Sequence, residues 1–226
     1  MVVEAGRRSS PKATEALATL CAIYWFPLYA YVRRQGYSAD DAQDLTQGFF
    51  VHLLEKQTFK VADRERGRFR SFLLASMKNF LANEWRRDTA QKRGGEQSVI
   101  SLDFDDGEKR YRLEPSHDET PDIIFGRQWA LTLLEQPLTK LRAEFDATVK
   151  TELFDRLKTF LGEKETAVSY RELGRQLKMS KGAVKVAIHR MRRRYRALLR
   201  EEIQHTIGAA EDVDEELRQL FDALAS

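Results

Sequence analysis

The sequence predicts an all-α protein, two helical domains joined by an acidic linker, with a helix-turn-helix in the second domain. Three observations lead there. Apolar residues recur at helical spacing through most of the 226 residues. Capping and breaking residues separate the apolar runs. The charges, close to balance at +3, are sorted into alternating basic and acidic blocks.

The elements follow in order. Leu17, Leu20, Cys21, Tyr24, Leu28 and Tyr31 keep the i, i+3, i+4, i+7 rhythm of one buried stripe. Pro27 inside that stripe predicts a kink, because it removes a backbone donor, and Gly36 predicts the helix end. Ser38 is placed to cap a second helix, with Asp40 and Asp41 against its positive end. That helix would bury Ala42, Leu45, Phe49 and Leu53 and stop near Gln57. A charged, glycine-bearing loop, Val61 to Arg68, leads to a third helix from about Phe69 to Arg87, with Phe72, Leu73, Ser76, Phe80 and Leu81 inward.

Gly94 and Gly95 close a first domain, 1–95. Residues 96–121 carry many acids, two prolines and little periodicity, and read as the linker; "SVISLDF" within it suits one short strand. Thr120-Pro121-Asp122 is a helix start, since proline costs nothing at the first helical position. Helices from Ile123 to Leu141 and from about Ala147 to Leu161 would follow, then the helix-turn-helix, giving a second domain over 122–203. The acidic extension, 204–226, ends in an amphipathic helix with Val213, Leu217, Leu220, Phe221 and Leu224 on its apolar side.

Charge blocks narrow the possible partners. Residues 171–200 hold eleven Lys or Arg and one acid, Glu172, for a net +10, and residues 59–100 carry +5. The segments behind them, 201–226 and 101–122, carry −7 and −5. Two separated basic surfaces suit a polyanion better than one diffuse charge does. Solvated helix faces are the plainer reading, and they suit the first block better than the second.

Several classes are disfavoured. A single cysteine, Cys21, gives no internal disulfide and fits a reducing cytosol. His52, His117, His189 and His205 are scattered, so no metal site is expected. The apolar run at Ala22 to Val32 is too short to span a bilayer, so a cytoplasmic protein without membrane insertion is expected. Paired carboxylates, a nucleophile-base pair and a phosphate-cradling glycine loop are missing, so neither an enzyme nor a cofactor is expected.

"YRELGRQLKMSKGAVKVAIHRMRRRYRALLREE" has the layout of a helix-turn-helix. Leu173 and Leu177 face inward on its first helix, and Gly174 is small enough for the second helix to cross closely. Ser180 is placed to cap that second helix. Lys178 stands where a turn favours glycine, so a positive φ there would cost some strain. Val184, Ile188, Met191, Tyr195 and Leu198 form one apolar stripe. Lys181, Lys185, His189, Arg190, Arg192 and Arg193 lie between them and are expected to project outward, towards DNA phosphates and base edges.

With these segments in hand, the chain resembles the sigma factors of bacterial RNA polymerase, of the extracytoplasmic-function (ECF) type. "SADDAQDLTQGFFVHLLEK" resembles the part of their region two that grips the polymerase clamp, although Gly48 stands where many relatives carry an acid. "RGRFRSFLLASMKNFLANEWRR" resembles the part that melts the promoter and reads the −10 element. The helix-turn-helix resembles region four, which binds the −35 element and the polymerase flap. The likeness covers about Leu17 to Arg93 and Ile123 to Ile203. The family's Leu-Pro signature at the start of region four is only loosely echoed by "LEQPLTKLRAEF".

The resemblance implies core RNA polymerase and promoter DNA as partners, with an anti-sigma factor or other regulator as a further one. It implies clamp contacts by Asp41, Asp44, Leu45 and Gln47, though Asp40 and Asp41 equally suit the helix dipole. It implies that Arg66, Arg68, Phe69, Arg70 and Phe72 cradle an unstacked −10 base, with Phe69 and Phe72 equally suited to a core. Asn79, Asn83, Arg86 and Arg87 would read or hold the same strand, and Trp85 is either a stacking ring or a buried one. At the −35 element it implies contacts by Ser180, Lys181, Lys185, His189, Arg190, Arg192 and Arg193. A rival remains open: a stand-alone helix-turn-helix regulator that never joins polymerase. That reading leaves "DAQDLTQ" and "RGRFRSF" without a task.

Overall fold

The computed structural model describes residues 11–55, 69–88, 102–113, 119–162, 169–206 and 212–225. Arg66 and Arg68 lie outside them. The described residues are helical apart from turns and caps, and no strand occurs among them. The chain divides into two units, one of residues 1–132 with 204–226 and the other of residues 133–203.

The first unit is organised around α1 (Pro11–Arg34), which carries Pro27 within a continuous helix. Ile23, Tyr24, Phe26 and every residue from Leu28 to Val32 are buried on it. A helix buried almost all round is the centre of its domain. Gly36, at φ 98°, ends it in the left-handed conformation that glycine adopts without a Cβ penalty. Helix α2 (Ala39–Glu55) starts on Ser38, whose hydroxyl accepts from the Asp41 amide at 3.1 Å. Helix α3 (Phe69–Asp88) packs Phe80 against Phe49 of α2, ring centroids 5.7 Å apart.

The segment expected as linker holds a helix, α4 (Phe104–Arg112), capped by Asp103. The short strand suited to "SVISLDF" is not what forms at its described end, because Phe104 is drawn into an aromatic pocket. Its ring meets Trp25 and Tyr29 of α1 at 5.5 and 5.7 Å. A Cβ on Gly107 would sit 2.8 Å from the Trp25 ring, so only glycine lets the helix lie this close. Glu108 then accepts from Tyr29 (2.6 Å) and, bidentately, from Arg33 (3.0 and 3.1 Å). Burial alone pushes the Glu108 carboxyl up, but the hydrogen bonds from Tyr29, Arg33 and Arg112 outweigh it and hold it below the ordinary range.

Helix α5 (Pro121–Asp146) opens at the expected Thr120-Pro121-Asp122 start and runs past Leu141, with Pro137 inside it. Its first half belongs to the first unit and its second half to the second. Next come α6 (Thr151–Leu157), shorter than expected, and a 3-10 turn, Lys158–Phe160. Helices α7 (Tyr170–Gln176) and α8 (Lys181–Thr206) form the helix-turn-helix. The core of the second unit gathers Leu141, Phe154, Leu157, Phe160, Leu173, Val184, Ile188, Met191 and Leu198.

The last helix, α9 (Val213–Ala225), belongs to the first unit. Leu220 is buried on it as expected, but Phe221 is 57% exposed and Glu216 is buried instead. Phe221 sits about 100° round the helix from Leu220, while Glu216, four residues before Leu220, shares its face.

Candidate nucleic-acid interface

The turn of the helix-turn-helix is built as the residue types require. The Gly174 carbonyl accepts from the Met179 amide at 2.8 Å, and a Cβ on Gly174 would lie 2.6 Å from the Met179 carbonyl oxygen. Lys178 has φ 54°, so the turn does take the left-handed conformation that costs a lysine some strain. The Ser180 hydroxyl accepts from the Ala183 amide at 3.1 Å and caps α8, so this side chain is at work within the fold.

The apolar stripe of α8 faces the core, with Val184, Ile188, Met191 and Leu198 buried. Tyr195 is half-buried, and its hydroxyl donates to the Leu134 carbonyl at 3.0 Å. Burial pushes that phenol up to about 12. Opposite the stripe, Lys181, Lys185, His189 and Arg193 are exposed and recur every fourth residue, forming one ridge along the helix. Among the described residues no acid pairs with any of these four. Val186, 48% exposed beside this ridge, offers an apolar contact that charge counting had no reason to select.

The other two expected contacts are placed differently. Arg192 is half-buried and donates to the carbonyls of Phe160 (2.7 Å) and Gly162 (3.0 Å), because it lies one turn from both Ile188 and Tyr195 and so sits at the edge of the core stripe. Arg190 is exposed at the rim of a cleft of about 430 Å³ whose floor includes Leu141, Phe145, Leu153 and Met191. Arg194, on the same rim, donates to Glu144 through Nε and Nη2, at 2.5 to 3.0 Å. The hydrogen bond from Arg194 holds the Glu144 carboxyl below the usual range. Cations beside the cleft are thus partly neutralised, while those of the ridge meet no acid among the described residues.

In the first unit, Asp41, Asp44, Leu45 and Gln47 lie along the first three turns of α2. Asp41 accepts from the Ser38 hydroxyl at 2.6 Å, a local capping contact. Asp44 is exposed, and Gln47, three residues on, shares its side of the helix.

On α3, Phe69 is 5% exposed and packs edge-on against Tyr24 at 5.5 Å. Of its two readings, core and base stacking, the structure places it in the core. Phe72 is partly exposed, and Asn79 and Asn83 are exposed, four apart on one side. Arg86 and Arg87 fall in the last turns of the same helix. Arg70 is turned inward: its guanidinium lies 4.2 Å over the Trp129 ring and 3.5 Å from Glu216. Lys78, on the same helix, pairs with Asp122 at 2.5 Å across an open cleft lined by Tyr31, Gln35 and Tyr37.

Among the described residues no cluster of His, Cys, Asp or Glu is suited to a metal ion, and no helix is long and apolar enough to cross a membrane. No curated protein and no solved structure gives a significant match to the chain. The sequence does match a protein family, described as ECF sigma factor, over residues 32–202, a span that takes in α2, α3, α7 and α8 as far as Glu202. A match of that extent, running from the acidic helix α2 through α3 to the cationic ridge of α8, makes this chain a member of the ECF sigma factor family, with a role in transcription initiation.

Proposed function

We propose that the chain directs promoter-specific initiation by joining core RNA polymerase in the cytoplasm, reading −35 duplex with α8 and the melted −10 strand with α3. The observation that carries this reading is the ridge of Lys181, Lys185, His189 and Arg193, exposed and, among the described residues, without acid partners, on a helix whose opposite side is locked into the core. A helix so held presents its first turns to the major groove as a rigid body. Lys181 and Lys185 stand nearest the base edges, and His189 and Arg193 follow the phosphates. Val186 is placed to meet a thymine methyl. Arg190 and Arg192 contribute less, since one borders the cleft and the other binds carbonyls.

On α3, Asn79 and Asn83 offer amides to unpaired base edges, and Phe72 offers a ring to a base. Phe69 is left out of that surface. Strand capture offsets unstacking, which costs a few kcal/mol per base. Asp44 and Gln47 form the clamp-facing edge of α2, and the apolar cleft beside α8 is the surface offered to the polymerase flap. A stand-alone regulator would account for the second unit only, whereas the family match spans both.

The test is a salt titration of holoenzyme on a −35 duplex selected with the wild-type protein. Arg193→Ala should lower the slope of log K against log salt by about 0.9, the value for one phosphate no longer neutralised, while Lys185→Ala should weaken binding and relax the choice of base pair it reads. Unchanged affinity and slope in the double variant would remove the ridge from the interface.

A further inference from the structure

The acidic extension is not an appendage to the helix-turn-helix. Its helix α9 lies in the first unit, against the helix that the reading above assigns to the melted strand. The two are joined through Arg70, in the first turn of α3. Its Nε lies 3.5 Å from Glu216 Oε1, another guanidinium nitrogen donates to Gln219 Oε1, and the guanidinium plane rests 4.2 Å over the Trp129 ring. Gln219 is itself oriented, because its amide nitrogen donates to Glu215 at 2.9 Å. The Arg70 side chain is 15% exposed and that of Glu216 is 5% exposed. Leu220 is wholly buried on the same face of α9.

We propose that α9 is a built-in latch on the strand-capturing end of α3, in which the Glu216 carboxylate takes the place of a promoter phosphate at Arg70. The proposal rests on the reading of α3 as the −10 surface. Carboxylate and phosphodiester are both monoanionic oxygen acceptors, and the Arg70 edge formed by Nε and Nη2, turned to Glu216 and Gln219 while the plane is stacked on an indole, is the edge a phosphate would need. Asp214 and Asp222, exposed on the same helix, add repulsion towards an approaching strand. The free protein therefore holds Arg70 closed, and strand binding must lift α9 or turn Arg70 outward. The tail's charge, −7 over residues 201–226, opposes the approach of nucleic acid to this end of α3.

The experiment uses the full chain and a fluorescent single-stranded DNA of mixed sequence, followed by anisotropy at low salt. Glu216→Gln keeps the shape of the side chain and removes its charge, so it should bind about tenfold more tightly than wild type, the factor expected when one charge-assisted pair ceases to oppose binding. Gln219→Ala removes no charge and should give a smaller gain in the same direction. Neither gain should survive in an Arg70→Ala background. Equal binding by wild type, Glu216→Gln and Gln219→Ala would overturn the latch, as would a gain that persists without Arg70. The underlying reading fails separately: Arg70→Ala in the Glu216→Gln background, with core polymerase, would transcribe a selected promoter as well as Glu216→Gln alone.

Discussion

Replacing Gly174 by alanine would place a methyl carbon 2.6 Å from the carbonyl oxygen of Met179, well inside contact distance. The obstacle is backbone, so no side-chain rotation relieves it. Moving the turn would strain the 2.8 Å hydrogen bond from the Met179 amide and disturb Lys178, already at φ 54°. Overpacking of this kind costs about 1–3 kcal/mol. Alanine returns up to about 1 kcal/mol through helix propensity. The middle of the first range less the propensity gain leaves a loss of about 1 kcal/mol, or roughly 4–8 °C in melting temperature for a unit of this size. Gly182 in α8 is the control, since its nearest neighbour is the Ser180 hydroxyl oxygen at 3.9 Å and an added methyl fits there. Thermal unfolding followed by circular dichroism reads both variants. The sign decides: an ordinary helical glycine gains stability from alanine, so a Gly174→Ala protein melting at or above wild type would refute the close crossing of α7 and α8. The same variant should lose −35 duplex affinity, because the ridge of α8 is aimed by that turn.

Three further outcomes follow from the first unit. Glu108→Gln should destabilise the protein at neutral pH by about 1.5–3 kcal/mol, the loss expected for charged hydrogen bonds. Because the folded carboxyl is held below its ordinary value, its stabilisation is full above the unfolded pKa, near 4.5, and is lost as pH falls through the folded value. Urea unfolding from pH 7 to pH 3 should show the gap between wild type and variant closing at the acid end, and a constant gap would contradict the charged pair. Replacing Asp44 and Gln47 by alanine should weaken binding to core polymerase in a pull-down while the melting temperature holds, and undiminished capture would remove the clamp assignment. Cys21, buried with its thiol pushed up to about 11 by burial, should resist iodoacetamide at neutral pH until the protein is unfolded; rapid labelling of the native protein would mean that α1 is not the core helix described.

What the sequence discloses is what depends on neighbours within a few turns. The α7–α8 turn is legible because Gly174, Lys178 and Ser180 each answer a local demand of backbone geometry, and the stripe from Val184 to Leu198 follows one helical period. The start of α5 at Thr120-Pro121-Asp122 is legible for the same reason. Helix α4 is not, because what fixes it is distant: Phe104, Gly107 and Glu108 find their partners at Trp25, Tyr29 and Arg33, some 75 residues away. Arg192 reads as one more outward cation until the Phe160 and Gly162 carbonyls come to meet it. Glu216 and Phe221 exchange their expected places because a periodicity rule weighs hydrophobicity and is blind to a buried arginine on a neighbouring helix. Phe69 carries two readings that only the position of Tyr24 separates.

We propose that this chain gives core polymerase its choice of start site. In vitro transcription with core enzyme on a library of promoter sequences tests it most directly. Initiation should appear only when both are mixed, from templates sharing two short elements, and it should fall when Lys185 and Arg193 are replaced by alanine. Transcripts equally abundant without the protein, or a selected library with no common element, would contradict the claim.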